Sequence, residues 1–182
     1  MPELSQRVGN FTDSVIRRMT RISNQYGAIN LSQGFPDFDP PKEIMDALAK
    51  AAYEGPHQYS ITYGAQNFRE ALAAKQGKAI HRIIDPNTEI VVTCGGTEAM
   101  MCAMMTICNP GDKVMVFSPF YENYGADAIL SGAEPIYIPL VPPEYEFDIR
   151  LVEQGFRDGA KAIIVCNPSN PCGKVFREEE LV

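Results

Sequence analysis

A chain of 182 residues is long enough to bury one fair-sized core. With 45% apolar and 21% charged residues and no low-complexity tract, its composition is that of a globular protein. A net charge of −7 argues against nucleic-acid and acidic-membrane partners. The apolar runs are too short for a bilayer span, and the opening M-P-E-L-S-Q-R-V-G-N-F lacks the apolar centre of a signal peptide.

In chain order, F-T-D-S-V-I-R-R-M-T-R-I-S-N-Q-Y-G places Val15, Met19 and Ile22 at helical spacing, with Thr12 as a cap. L-S-Q-G-F-P-D-F-D-P-P is a loop rich in breakers. Pro41 suits the first position of a helix carrying Ile44, Met45, Leu48, Ala51 and Ala52 on one side. G-P-H-Q-Y-S-I-T-Y-G is irregular, and A-Q-N-F-R-E-A-L-A-A-K-Q-G-K-A-I is a helix weakened at Gly77. The rhythm then changes. Strands at 90–94, 113–118, 135–140 and 162–167 alternate with helices at 98–107, 121–130 and 149–156. Consecutive β-α-β steps predict an α/β fold, a mostly parallel sheet with helices on both faces. No internal repeat is present. The domain division expected is an N-terminal arm over 1–40 and a larger unit over 41–182.

Five cysteines, Cys94, Cys102, Cys108, Cys166 and Cys172, form no C-x-x-C pair and are odd in number, which favours reduced thiols in a cytoplasm. His57 and His81 are the only histidines, too few and too far apart in sequence for a His-based triad or metal cluster; no metal site is expected.

In a parallel sheet, the turns after the strands share one edge, where ligands bind. The first such turn is C-G-G-T-E-A-M. Gly95 and Gly96 allow close backbone approach, and Thr97 and Glu98 open a helix whose free N–H groups suit a phosphate. An ordinary glycine-rich turn with Thr97 as cap accounts for the same residues. The turn matches neither the dinucleotide nor the P-loop fingerprint. The second, F-S-P-F-Y-E-N-Y-G, brings Phe120 and Tyr121, either of which could stack on a flat ligand or simply pack in the core. The fourth is I-I-V-C-N-P-S-N-P-C-G-K-V-F. Each proline restricts the residue before it towards extended geometry, so Asn167 and Asn170 are stiff amides at a strand end. Asx turns that only end the strand are the simpler account of either one alone.

Taken in order, Q-G-F-P-D-F, Q-Y-S-I-T-Y-G, T-C-G-G-T-E-A-M, N-P-G-D-K-V-M-V-F-S-P-F-Y-E-N-Y and N-P-S-N-P-C-G-K-V-F resemble the first half of a class I, fold type I pyridoxal-phosphate-dependent aminotransferase. N-P-S-N-P-C-G resembles that family's N-P-x-N-P-x-G. The resemblance implies the first half of the large domain of that fold, pyridoxal 5′-phosphate as cofactor, amino acid and 2-oxo acid substrates, and a homodimer. It implies that Asn170 meets the phenolic oxygen of the cofactor ring and helps place the substrate carboxylate. It also gives Gly96, Thr97 and Glu98 to the phosphate, Tyr121 to the ring face, Gly34 to the substrate, and Tyr59 to the phosphate of the neighbouring subunit. A carboxylate repels phosphate, so Glu98 is expected to act through its backbone N–H with its side chain turned away.

The family's Schiff-base lysine, its acidic partner for the ring nitrogen and its substrate-binding arginine have no counterpart among these residues. Lys174 reads as an ordinary exposed residue. The expectation is therefore an N-terminal fragment with no catalytic residue of its own, inactive in isolation. A lyase or synthase of the same fold, a non-enzymatic phosphate- or nucleotide-binding domain, and a pure assembly module are the alternatives.

Overall fold

The run Lys113–Ser118 is apolar at four successive positions, and Val114, Met115, Val116 and Phe117 are all buried. Four consecutive buried side chains require cover on both faces of a strand. The computed structural model describes residues 3, 5–10 and 13–182 and supplies that cover. The chain divides into two compact units. One is Cys94–Val182 with the described N-terminal residues, and the other is Asp13–Thr93. The boundary between these compact units falls at 93/94.

In the first unit, β1 (Lys113–Ser118) lies between β2 (Glu134–Pro139) and β3 (Ala160–Ile164), and both pairings are parallel. The register with β2 is unbroken, whereas that with β3 shifts between Lys113 and Val114. Parallel neighbours need crossovers, and helices α5 (Asn123–Leu130) and α6 (Ile149–Arg157) provide them. The period of two along β1 sorts its side chains. Val114 and Val116 pack with Met104, Ala128 and Ile164 on one face. Met115 and Phe117 pack with Ile138, Leu140 and Phe176 on the other. Each such side chain contributes roughly 1.5–3 kcal/mol of burial. α6 approaches the second face through Gly155, where any Cβ would run into the Met115 side chain. Helix α4 (Gly95–Ile107) sets Met104 in the first cluster, and the short α7 (Glu178–Leu181) ends the unit.

The second unit is helical: α1 (Val15–Tyr26), α2 (Lys42–Glu54) and α3 (Gln66–Ala79). Ser14 caps α1, accepting from the Arg17 N–H at 3.4 Å; Thr12, the expected cap, lies outside the described residues. Pro41 is the N-cap of α2, one position earlier than expected. Its φ of −51° and ψ of 137° suit that flanking place. α3 runs through Gly77, which sits against the Arg82 carbonyl; a Cβ there would lie 2.6 Å from that oxygen. The polar anchor of this unit is Arg69, 2% exposed, which donates to the carbonyls of Gly64 and Pro86 and to Asn87 Oδ1.

One expected strand is absent. Residues 90–94 are irregular and join no ladder, so the sheet has three strands among the described residues. Val92 instead donates its N–H to the Tyr63 carbonyl at 3.0 Å and leans its side chain over Gly64. β-branched residues favour a strand only where a neighbour offers a ladder, and none reaches this segment. The third strand ends at Ile164, so Asn167 stands three residues beyond it. No helix of the described residues is long and apolar enough to cross a membrane.

Candidate functional site

Without a strand before it, the C-G-G-T-E-A-M turn needs another device to reach the sheet edge. α4 begins at Gly95, three residues earlier than expected, with Cys94 as N-cap and a positive φ at Gly95. Gly96 and Thr97 thus lie in its first turn, where the N–H groups have no intrahelical acceptor. A Cβ at Gly96 would meet no atom within 4 Å, so the approach to its backbone is open. Helix register assigns the Glu98 N–H to the Cys94 carbonyl, because the N-cap carbonyl takes the first intrahelical bond. The Glu98 carboxylate folds back to accept the Cys94 N–H. The backbone donors left at this helix start are therefore Gly96 and Thr97.

α4 is held by packing and by one side-chain bond. Met100 and Met104 lie against the cluster containing Val116 and Ala128. Asn123, at the start of α5, donates its Nδ2 to Thr97 Oγ1 at 2.7 Å. Between the two helices is a 280 Å³ cavity, lined by Gly96, Thr97 and Met100 from α4 and by Tyr121, Asn123, Tyr124 and Asp127 from the following turn and α5. Tyr121 stands edge-on to Tyr124, with ring centroids 5.8 Å apart. Phe120 goes elsewhere and stacks on Tyr137 at 5.2 Å, so of the two neighbouring rings only Tyr121 is left to the cavity.

Two groups at this cavity are perturbed. A hydrogen bond with Cys166, then burial, pushes the Tyr124 hydroxyl up to about 12. That contact joins the start of α5 to the segment after β3, because Cys166 directly precedes Asn167. Asp127 is 3% exposed, and its Oδ2 has no hydrogen-bond partner among the described residues. Burial alone pushes its carboxyl above the ordinary value. An orphaned buried oxygen at a cavity wall is a common mark of a binding site. Nothing in the sequence marks Asn123 or Asp127; both read as ordinary polar residues of a helix.

The two Asn-Pro pairs behave differently. Asn167, though exposed, is engaged: its Oδ1 accepts the Phe176 N–H at 3.1 Å. Ser169 N–H to the Lys174 carbonyl at 2.8 Å and Gly173 N–H to the Ser169 carbonyl at 2.7 Å close the turn. Asn170 stands at its exposed tip, and its side chain makes no hydrogen bond among the described residues. Both Asn-Pro peptide bonds are cis. The turn thus uses Asn167 Oδ1, and the Asn170 amide has no partner among the described residues.

Lys174 is not the exposed residue expected from the sequence. Its side chain is 7% exposed, and its Nζ lies 2.8 Å from Glu180 Oε1. The Arg177 N–H, and then Lys174, hold the Glu180 carboxyl down at about 2. Gly34 and Tyr59 belong to the second unit. Gly34 is exposed, with open space where a Cβ would be, and Tyr59 is fully exposed.

Residues 26–182 match the family described as aminotransferase class I and II, and the chain belongs to that family. It is 34% identical to kynurenine–oxoglutarate transaminase 3 of Mus musculus over 188 residues, covering 97% of this chain and 41% of that protein. It is 33% identical to the probable N-succinyldiaminopimelate aminotransferase of Mycobacterium tuberculosis over 177 residues, covering 96% of this chain and 45% of that protein. Among solved structures it resembles a methionine aminotransferase of Escherichia coli, with a TM-score of 0.90 and 32% identity over 98% of this chain and 47% of that one. The chain spans less than half the length of these relatives. Members of the family use pyridoxal phosphate. The residues here fit that group. Two free backbone donors at a helix start suit its phosphate, a tyrosine ring its flat face, and an outward amide its ring oxygen.

Proposed function

We propose that this chain forms the cofactor-cradling part of a pyridoxal-phosphate-dependent aminotransferase, which moves an amino group between an amino acid and a 2-oxo acid. The observation that carries this reading is the division of labour at N-P-S-N-P-C-G. Asn167 Oδ1 accepts the Phe176 N–H, while the equally exposed Asn170 side chain has no partner among the described residues. A mere strand-end turn has no use for the second amide. The cofactor supplies the electron sink that loosens bonds at the substrate's α-carbon. The Gly96 and Thr97 N–H groups bind its phosphate, Tyr121 covers one face of its ring, and the Asn170 amide donates to its ring oxygen and orients the substrate carboxylate. Gly34 lets the substrate approach backbone closely.

Three relatives carry names for different donors, namely kynurenine, N-succinyldiaminopimelate and methionine, so the reading commits to the reaction class. The lysine, acid and arginine that complete the family's chemistry are not among the groups of this cradle. These 182 residues alone are therefore expected to hold cofactor without transaminating. We further propose a homodimer in which Tyr59, fully exposed here, reaches the other subunit's phosphate. A cytoplasmic setting accords with five cysteines that are all free.

Titration of the isotope-labelled chain with pyridoxal 5′-phosphate tests the cradle. Shifts are expected at the Gly96 and Thr97 amides and at the Asn170 side-chain amide. Shifts confined to other residues, or none at millimolar cofactor, would remove the reading. Incubation with cofactor, amino acids and 2-oxoglutarate is expected to give no turnover, and cofactor-dependent turnover by a pure sample would overturn that part.

A further inference from the structure

The Asn170 turn is tied at its far end by a charge pair almost removed from water. Lys174 serves it twice. Its carbonyl accepts the Ser169 N–H at 2.8 Å, and its ammonium reaches Glu180 Oε1 at 2.8 Å while lying 5.2 Å from the centroid of the Phe176 ring. The other oxygen of Glu180 accepts from the Arg177 N–H at 2.8 Å and from Arg177 Nε at 3.3 Å. Phe176, 4% exposed, is fixed in the core against Phe117 at 5.1 Å and Phe147 at 6.0 Å, and its N–H is the group that holds Asn167. A continuous set of contacts therefore runs from the core through Phe176, Lys174 and Glu180 to both ends of the turn.

We propose that Lys174 and Glu180 are a positioning pair for the site: locked together at the turn's exit, they hold Asn170 at one place and orientation towards the ligand. The proposal rests on the reading of Asn170 given above. Its physical basis is that a buried ion pair is a poor source of net stability. Removing two charges from water cancels most of their attraction, and an apolar pair of like volume is often as stable. What an apolar pair lacks is direction. Lys174 with Glu180 has one satisfied geometry, set by the bonds that Glu180 also makes to Arg177, whereas two methionines would slide.

The difference can be read by amide exchange in the chain itself, because three N–H groups report the turn: Ser169, Gly173 and Phe176. In the double variant Lys174→Met with Glu180→Met, the melting transition is expected to stay near that of the parent. Exchange at those three amides should nonetheless rise about tenfold or more, while the amides of β1 keep their protection. The Asn170 side-chain amide should broaden or split. Lys174→Arg, which keeps the charge, should restore the parent pattern. Unchanged exchange at the three reporters would overturn the proposal. So would a uniform rise across turn and sheet, which would make the pair a stabiliser of the whole unit. The cofactor arm is separate. If the parent chain shows no response to pyridoxal 5′-phosphate, the reading of the site fails, while the exchange pattern still decides the pair. If the parent responds, the double variant should need at least about fivefold more cofactor for the same shift at Asn170.

Discussion

Ile138 in β2 and Leu48 in α2 are aliphatic residues of similar size in regular elements, yet the first is 1% exposed and the second 72%. The contrast holds for the two units at large. The sheet unit builds a core closed on both faces of β1, while Met105, Val141, Phe156 and Val175 stay exposed. The helical unit leaves Ile29, Leu31, Ile44, Leu48 and Tyr59 open and centres instead on a buried arginine held by carbonyls. Burial of β-branched and aromatic side chains supplies cohesion for the first; satisfied polar groups supply it for the second. The lesson is that an amphipathic pattern shows which face wants cover and says nothing of what covers it.

The comparison can be broken most forcefully at Ile138. Ile138→Ala is expected to destabilise the sheet unit by roughly 2–5 kcal/mol, whereas Leu48→Ala should change stability by no more than about 0.5 kcal/mol. Urea unfolding followed by residue-resolved signals would read both. Similar costs at the two positions would mean that the α2 face is covered in solution.

Next is Arg69→Met, which keeps an unbranched chain but removes every donor. The carbonyls of Gly64 and Pro86 lose their partner, and a cost of about 1–3 kcal/mol is expected, confined to the helical unit. A neutral result would show that this unit coheres by apolar contact after all.

Asp127 sharpens the picture within the sheet unit, where an unpaired carboxyl interrupts an otherwise apolar setting. Its folded-state pKa is raised above 3.8, so the folded chain holds the proton more firmly than the unfolded chain does. Its contribution is therefore most favourable below 3.8 and declines as pH rises through the raised value. Asp127→Asn removes that titration. The stability of the variant relative to the parent should rise from acid to neutral pH. Parallel pH curves would mean that Asp127 has a partner in solution.

The smallest effect separates the two asparagines. Asn167→Ala loses the bond to the Phe176 N–H and should cost about 0.5–1.5 kcal/mol. Asn170→Ala, at the exposed tip, should stay within about 0.5 kcal/mol in the chain alone. Melting curves of the pair decide this, and equal losses would return Asn170 to the role of an ordinary turn residue.

What the sequence by itself determined lies close along the chain. The buried strand 113–118, the crossover helices, the breaker-rich loops and the N-P-x-N-P-x-G turn follow from periodicity and from the φ restriction of proline, which act over a few residues. The order of the motifs carried the family. Tertiary structure alone decided the matters that depend on a distant partner. Residues 90–94 have the composition of a strand and no ladder to join. Asn167 and Asn170 have the same local chemistry, and only the fold of the turn brings the Phe176 N–H to one of them. Lys174 reads as exposed until α7 folds back and places Glu180 beside it. Asp127 looks like any polar helix residue until the packing of α4 against α5 closes over its oxygen. In each case the local signal states what a residue can do, and the free energy of a contact made across the fold selects which of those possibilities is used.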